Sequence, residues 1–145
     1  FWNGTALGCE PDLAPWLCDR GSLTQRIQQR CTRFAVDKVC TGLARIAPDE
    51  SALLGIAPQQ LAYSREVFLY AGNQPVVFAH PLAERKPLHY KALRNMHPLY
   101  QRAATVLGDP PPRLWARRSL FYLHGAPLLV TEVFLPGILL LTDPA

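Results

Sequence analysis

Long apolar runs are missing from this chain. No window of about 18 continuous apolar residues occurs, so no membrane-spanning helix is expected. A charged start followed by an apolar stretch and a small-residue cleavage site is also missing, so no secretory leader is expected. GxGxxG and GxxxxGK[ST] do not occur, which argues against a nucleotide cofactor. None of Cys9, Cys18, Cys31 and Cys40 forms a CxxC pair, and His80, His89, His97 and His124 lack the spacing of metal ligands. No metal or other cofactor is therefore expected, and the cysteines read as reduced, packing-type thiols. No G-x-S-x-G elbow marks a hydrolase nucleophile. Low-complexity tracts and linkers of domain-boundary length are absent too, so residues 1–145 read as one domain.

Lysine is scarce as well. Twelve of the fifteen cations are Arg, and the formal net charge is +4. Arg forks bind carboxylates and phosphates bidentately, so an anionic small molecule suits this balance. A Lys/Arg run of the nucleic-acid kind does not occur. The densest cluster, Arg113, Arg117 and Arg118 in "PRLWARRS", reads as a solvated strand entrance, and no nucleic-acid partner is expected. Hydrophobic residues, at 49% of the chain, suffice for a sizeable core.

"PDLAPWLCD" reads as a short helix with Leu13, Trp16 and Leu17 on one face. "GSLTQRIQQRC" is a clearer helix, in which Ser22 can cap and Gln25 stands at capping-box spacing. "TRFAVDKVCTGLARIA" reads as a long strand with a bulge near Asp37, and "PDESALLGIAPQQ" as a loop or a broken turn. Two segments share one plan of strand, Gly-containing turn and Pro-opened return strand: "SREVFLYAGNQPVVFAH" and "RRSLFYLHGAPLLVTEVFLP". The stretch between them has helical spacing broken by Pro87 and Pro98. It predicts two helices, with Pro98 at the first position of the second. "GDPPPRLW" is a stiff connector.

Glu132 is the one formally charged side chain between Ser119 and Thr142. On a strand, Leu128, Val130, Glu132 and Phe134 share one face, and Leu129, Thr131, Val133 and Leu135 share the other. Both faces are apolar, so the strand is expected to be central. A buried carboxylate needs a partner or stays protonated. It therefore reads as half of a structural ion pair, as an edge position near solvent, or as a group facing a closed polar pocket. Arg65, on the Val67 and Leu69 face of its strand, is the natural counterpart. It either pairs with Glu132 directly or holds the opposite end of a ligand. Two helix starts, Ser22-Leu23 and Pro98-Leu99, add backbone N–H donors that favour anions.

In these residues the chain resembles the chorismate lyase family. The resemblance rests on "GSLTQRI", "SREVFLYAGNQPVVFA", "HPL" and "LWARRSLFYLHGAPLLVTEVFLP", in the family's order and across most of the chain. It implies an α+β fold: a single antiparallel sheet of about six strands with helices and flaps covering an internal pocket. It also implies a cytoplasmic, monomeric enzyme whose substrate is chorismate, eliminating pyruvate to give 4-hydroxybenzoate for ubiquinone synthesis. Carried over, Arg65 would bind the ring carboxylate and Glu132 would meet the hydroxyl end; these are the expected catalytic residues. Leu23 and Leu99 would bind substrate through their backbones. Leu23 stands where the family often has Met, the bulky Tyr100 follows "HPL" where a small residue is familiar, and 98–115 looks shorter than in the family. The competing reading is a non-catalytic small-molecule-binding domain of the same fold, as in the effector domains of some transcription regulators.

Overall fold

The structure, a computed structural model, describes residues 2–44, 48–55, 57, 61–79, 89–123 and 126–142. Its framework is two hairpins. Strands β2 (Ala62–Ala71) and β3 (Gln74–Ala79) turn through Gly72 and Asn73, with Ala71 opposite Gln74. Gly72 has φ 61°, a left-handed conformation that its missing side chain makes cheap in a tight hairpin. Strands β5 (Arg113–Leu123) and β6 (Ala126–Phe134) form the second hairpin, with Leu123 opposite Ala126.

The long strand β1 (Phe34–Ala44) pairs with β2, and its register shifts between Lys38 and Cys40, two residues past the expected bulge. All neighbours are antiparallel, in the order β1-β2-β3-β6-β5-β4. The six-stranded α+β architecture agrees with expectation, and β6, the strand of Glu132, is central.

Two local expectations are corrected. The first predicted helix between the hairpins lies partly outside the described residues; where it is described, His89–Arg94 form strand β4. β5 offers a second edge for hydrogen bonding, and β4 fills it from Arg113 to Arg118, so sheet pairing overrides helical spacing. "PDESALL", expected as loop or broken turn, forms helix α3 (Pro48–Leu54), with Asp49 and Glu50 in its first turn, where the helix dipole favours acids.

Side-chain alternation gives the sheet two apolar faces. Val67, Leu69, Val77, Ala79, Trp115 and Phe134 line one. It is covered by α1 (Ala14–Leu17) and α2 (Leu23–Gln28) through Trp16, Leu17, Leu23 and Ile27. Each of these large side chains contributes about 1.5–3 kcal/mol on burial. The Arg26 guanidinium stacks 4.5 Å from the Trp16 ring centroid and donates to the Pro15 carbonyl at 2.8 Å, fastening α2 to α1. As the capping spacing predicts, the Ser22 hydroxyl accepts from the Gln25 amide.

Phe68, Phe78, Leu114, Ala116 and Val133 line the opposite face, beneath α4 (Pro98–Ala103). Pro98 opens that helix as expected, and His97 caps it. Tyr100 is buried there, and its hydroxyl donates to the Pro111 carbonyl, pinning the Pro-rich connector.

Ile138, in the 3₁₀ turn Pro136–Leu140, joins the α1–α2 side of the core, whereas Leu139 and Leu140 are exposed. Cys9, Cys18 and Cys31 are free; Cys9 and Cys31 pack against the core, and Cys18 is exposed. Burial, then the nearby Glu10 charge, pushes the Cys9 thiol up to about 11. Among the described residues no helix is long and apolar enough to cross a membrane, and no His, Cys, Asp and Glu cluster could hold a metal ion.

Candidate active site

Glu132 sits where the two halves of the sheet meet, flanked by Ala79 on β3 and Arg117 on β5. It is 1% exposed and Arg117 is 0% exposed. Arg117 Nε donates to Glu132 Oε1 at 2.8 Å, so the carboxylate is half of a fully buried ion pair. Its cation is therefore Arg117 and not Arg65.

One further nitrogen of the Arg117 guanidinium, Nη1, is used on the chain above it. Nη1 donates to the carbonyls of Trp16 at 3.2 Å, Leu17 at 3.1 Å and Asp19 at 2.6 Å. The Trp16 and Leu17 oxygens belong to the end of α1, where helix carbonyls have lost their own partners and favour a cation, and the Asp19 oxygen lies two residues past it. The guanidinium carbon also lies 5.2 Å from the Phe134 ring centroid, within cation–π range.

Three of the four expected site residues share this face. Arg65 is two residues from Val67 on β2, in phase with the α1–α2 side, and is partly exposed. No hydrogen bond or ion pair holds it among the described residues. Leu23 is the first residue of α2 and is fully buried in the same core cluster.

The fourth, Leu99, lies on the other side. It packs against the α4 cluster, and its amide donates to His97 Nδ1 at 3.1 Å. It lines a cavity of about 280 Å³ with Trp2, Asp49, His97, Arg118 and Thr131. Arg118 donates to Asp49 Oδ2 at 2.8 Å and stacks 4.4 Å from the Trp2 ring centroid. Burial pushes the Asp49 carboxyl up, but the Arg118 hydrogen bond and charge outweigh it and hold it below its ordinary range. Burial, helped by the nearby Lys91 charge, holds the His97 imidazole below its ordinary range.

The expected solvated strand entrance is thus corrected: of its three arginines, Arg117 and Arg118 are buried and only Arg113 keeps substantial exposure. Packing α1 onto β5 and Trp2 onto Arg118 removed the solvent. Arg117 is the residue that reading of side chains one at a time misses. The signal was available: counting outward from Leu123 and Ala126 on either side of the turn puts Arg117 opposite Glu132.

An arginine on β2, an ion-paired carboxylate on β6 and the start of α2 thus lie on one face of the sheet. A sequence profile described as chorismate lyase matches residues 3–110. The chain belongs to the chorismate lyase family.

A probable chorismate pyruvate-lyase of Nitrosospira multiformis is 42% identical over 169 aligned positions, covering 95% of this chain and 94% of the relative. One of Aromatoleum aromaticum is 42% identical, covering 88% and 86%. One of Nitrosomonas europaea is 39% identical, covering 94% of each. Among solved structures, a GntR-family transcriptional regulator of Enterococcus faecalis superimposes with a TM-score of 0.55 over 70% of this chain and 88% of its own, at 16% identity. That likeness is one of fold.

Proposed function

We propose that this chain is a chorismate pyruvate-lyase that releases 4-hydroxybenzoate, for ubiquinone synthesis, in the cytoplasm and as a monomer. The observation that carries this reading is Glu132, a buried carboxylate on the central strand, on the sheet face of Arg65 and of the α2 start. One strand, β3, separates β2 from β6, so at the usual strand spacing their backbones run about 10 Å apart. That separation suits a ring with a carboxylate at one end and oxygen substituents at the other.

In this reading Arg65 takes the ring carboxylate, helped by the Leu23 amide. The family resemblance gives Leu99 the same role, but its amide lies on the opposite face and donates to His97 Nδ1, so it is not part of this site. Glu132 meets the hydroxyl and ether end. The ether C–O bond breaks and the carbon bearing the hydroxyl loses its hydrogen, so the ring becomes aromatic. The three-carbon fragment gains that hydrogen at its methylene and leaves as pyruvate. Aromatisation drives the step, so the protein supplies mainly orientation, worth several kcal/mol when reacting groups are held in line.

The purified protein is incubated with chorismate while pyruvate and 4-hydroxybenzoate are followed. Formation of both well above the uncatalysed rate is expected, and its absence removes the assignment. Arg65→Ala should raise KM by about tenfold or more, because a charge-assisted anchor is lost. Glu132→Gln should lower kcat by about 10²–10⁴-fold if the carboxylate handles a proton. Folded variants that turn over like the wild type would make the site wrong while the function stands. Tight binding of 4-hydroxybenzoate without turnover of chorismate would favour the effector-type reading.

A further inference from the structure

Arg117 is not among the residues carried over from the family, yet it touches two parts of the site at once. Its Nε holds Glu132 Oε1 at 2.8 Å. Its Nη1 holds the Trp16, Leu17 and Asp19 carbonyls, the shortest contact being 2.6 Å to Asp19. Asp19 lies four residues before Leu23, whose amide opens α2. The guanidinium is fully buried, so water does not loosen these bonds.

A planar guanidinium fixes the directions of its donors relative to each other, which a lysine ammonium cannot do. An arginine joining only β5 to β6 would be a strut within the sheet. This one joins the sheet to the segment that leads into α2.

We infer that Arg117 is a positioning residue: it fixes the Glu132 carboxylate and sets its distance from the Leu23 amide, so both meet one substrate in register. The inference rests on the site reading above. It assigns Arg117 no contact with substrate. Its committed Nε also fixes which oxygen of Glu132 is held, and so how the carboxylate is turned.

The test is a double-mutant cycle on kcat with Arg117→Lys and Glu132→Gln. Lysine keeps the charge but cannot bridge both elements. Misplacing a catalytic group by about 1 Å costs about 10²-fold, so Arg117→Lys should lower kcat by about that factor. In the Glu132→Gln background the same change should cost only about twofold, because the group it positions is already lost. A structural strut would cost the same factor in both backgrounds, and that result overturns the inference. So does an Arg117→Lys enzyme that turns over like the wild type.

Wild type assayed alongside separates the two claims. An inactive wild type overturns the proposed function and this inference with it; an active wild type with a fully active Arg117→Lys overturns the inference alone. If Arg117→Lys does not fold, the wild-type Arg117 Nε–H signal is followed by NMR as 4-hydroxybenzoate is added. It should shift on binding, and an unmoved signal at saturation overturns the inference.

Discussion

Arg117 and Arg118 are neighbours on β5, and the sheet sends them to opposite faces. Arg117 meets a carboxylate that is 1% exposed, under two helices. Arg118 meets Asp49, whose side chain is 53% exposed, beside a cavity. The two ion pairs have the same 2.8 Å length. Distance therefore says nothing about their value; solvent decides it. A buried pair has lost its hydration, so removing one partner strands a charge that water cannot reach. A half-solvated pair can exchange its partner for water at little cost.

Breaking the buried side should give the largest effect. Arg117→Met should lower unfolding free energy by about 3–5 kcal/mol, the usual cost of orphaning a buried charge. Adding Glu132→Leu should return most of that loss, because apolar residues of similar volume replace buried pairs well. Urea titrations of wild type, single and double variants check both. A double variant no more stable than Arg117→Met would show that the α1 carbonyls, not the pair, carry the stabilisation.

Breaking the solvated side sharpens the contrast. Arg118→Met should cost only about 1 kcal/mol in the same titration. A loss as large as that of Arg117→Met would refute the division by solvent.

The smallest effect belongs to His97. Its neutral Nδ1 accepts the Leu99 amide, and protonation would turn that acceptor into a donor. Burial holds its folded-state value below the ordinary 6.5. The unfolded chain therefore binds a proton first as pH falls. Stability is complete above 6.5 and is lost as pH drops through the window beneath it. Melting temperature should fall from about pH 7.5 to about pH 5.5, and His97→Ala should flatten that fall. At the upper pH the same variant should cost about 0.5 kcal/mol for the lost cap. A pH profile identical in the variant would assign the slope elsewhere.

Much of this contrast could be read from the sequence. The hairpins announce themselves through Gly72 and the alternation of "REVFLY" and "LLVTEVF". Glu132 stands out because everything around it is apolar, and a strand apolar on both faces has to be central. Ser22 and Pro98 mark helix starts by local chemistry alone. What escaped has tertiary causes. "HYKALR" has helical spacing but is captured by the open edge of β5. The Arg117 and Arg118 environments depend on α1 and Trp2 arriving from far away in sequence. Sequence also leaves Leu99 beside Leu23 as an equivalent helix start, whereas the structure packs them against opposite faces.

The sheet is two three-stranded meanders, β1-β2-β3 and β4-β5-β6, stitched together between β3 and β6. Among the described residues that stitch is Val77 to Phe134, Phe78 to Val133 and Ala79 to Glu132. The residue at the centre of the proposed chemistry is thus also part of the closure between the halves. Occupancy of the site and integrity of that closure are then thermodynamically linked: a ligand that prefers the closed sheet slows its opening by its own binding free energy. The backbone amides of Val77 to Ala79 become a clock for the site, their hydrogen exchange slowing as it fills.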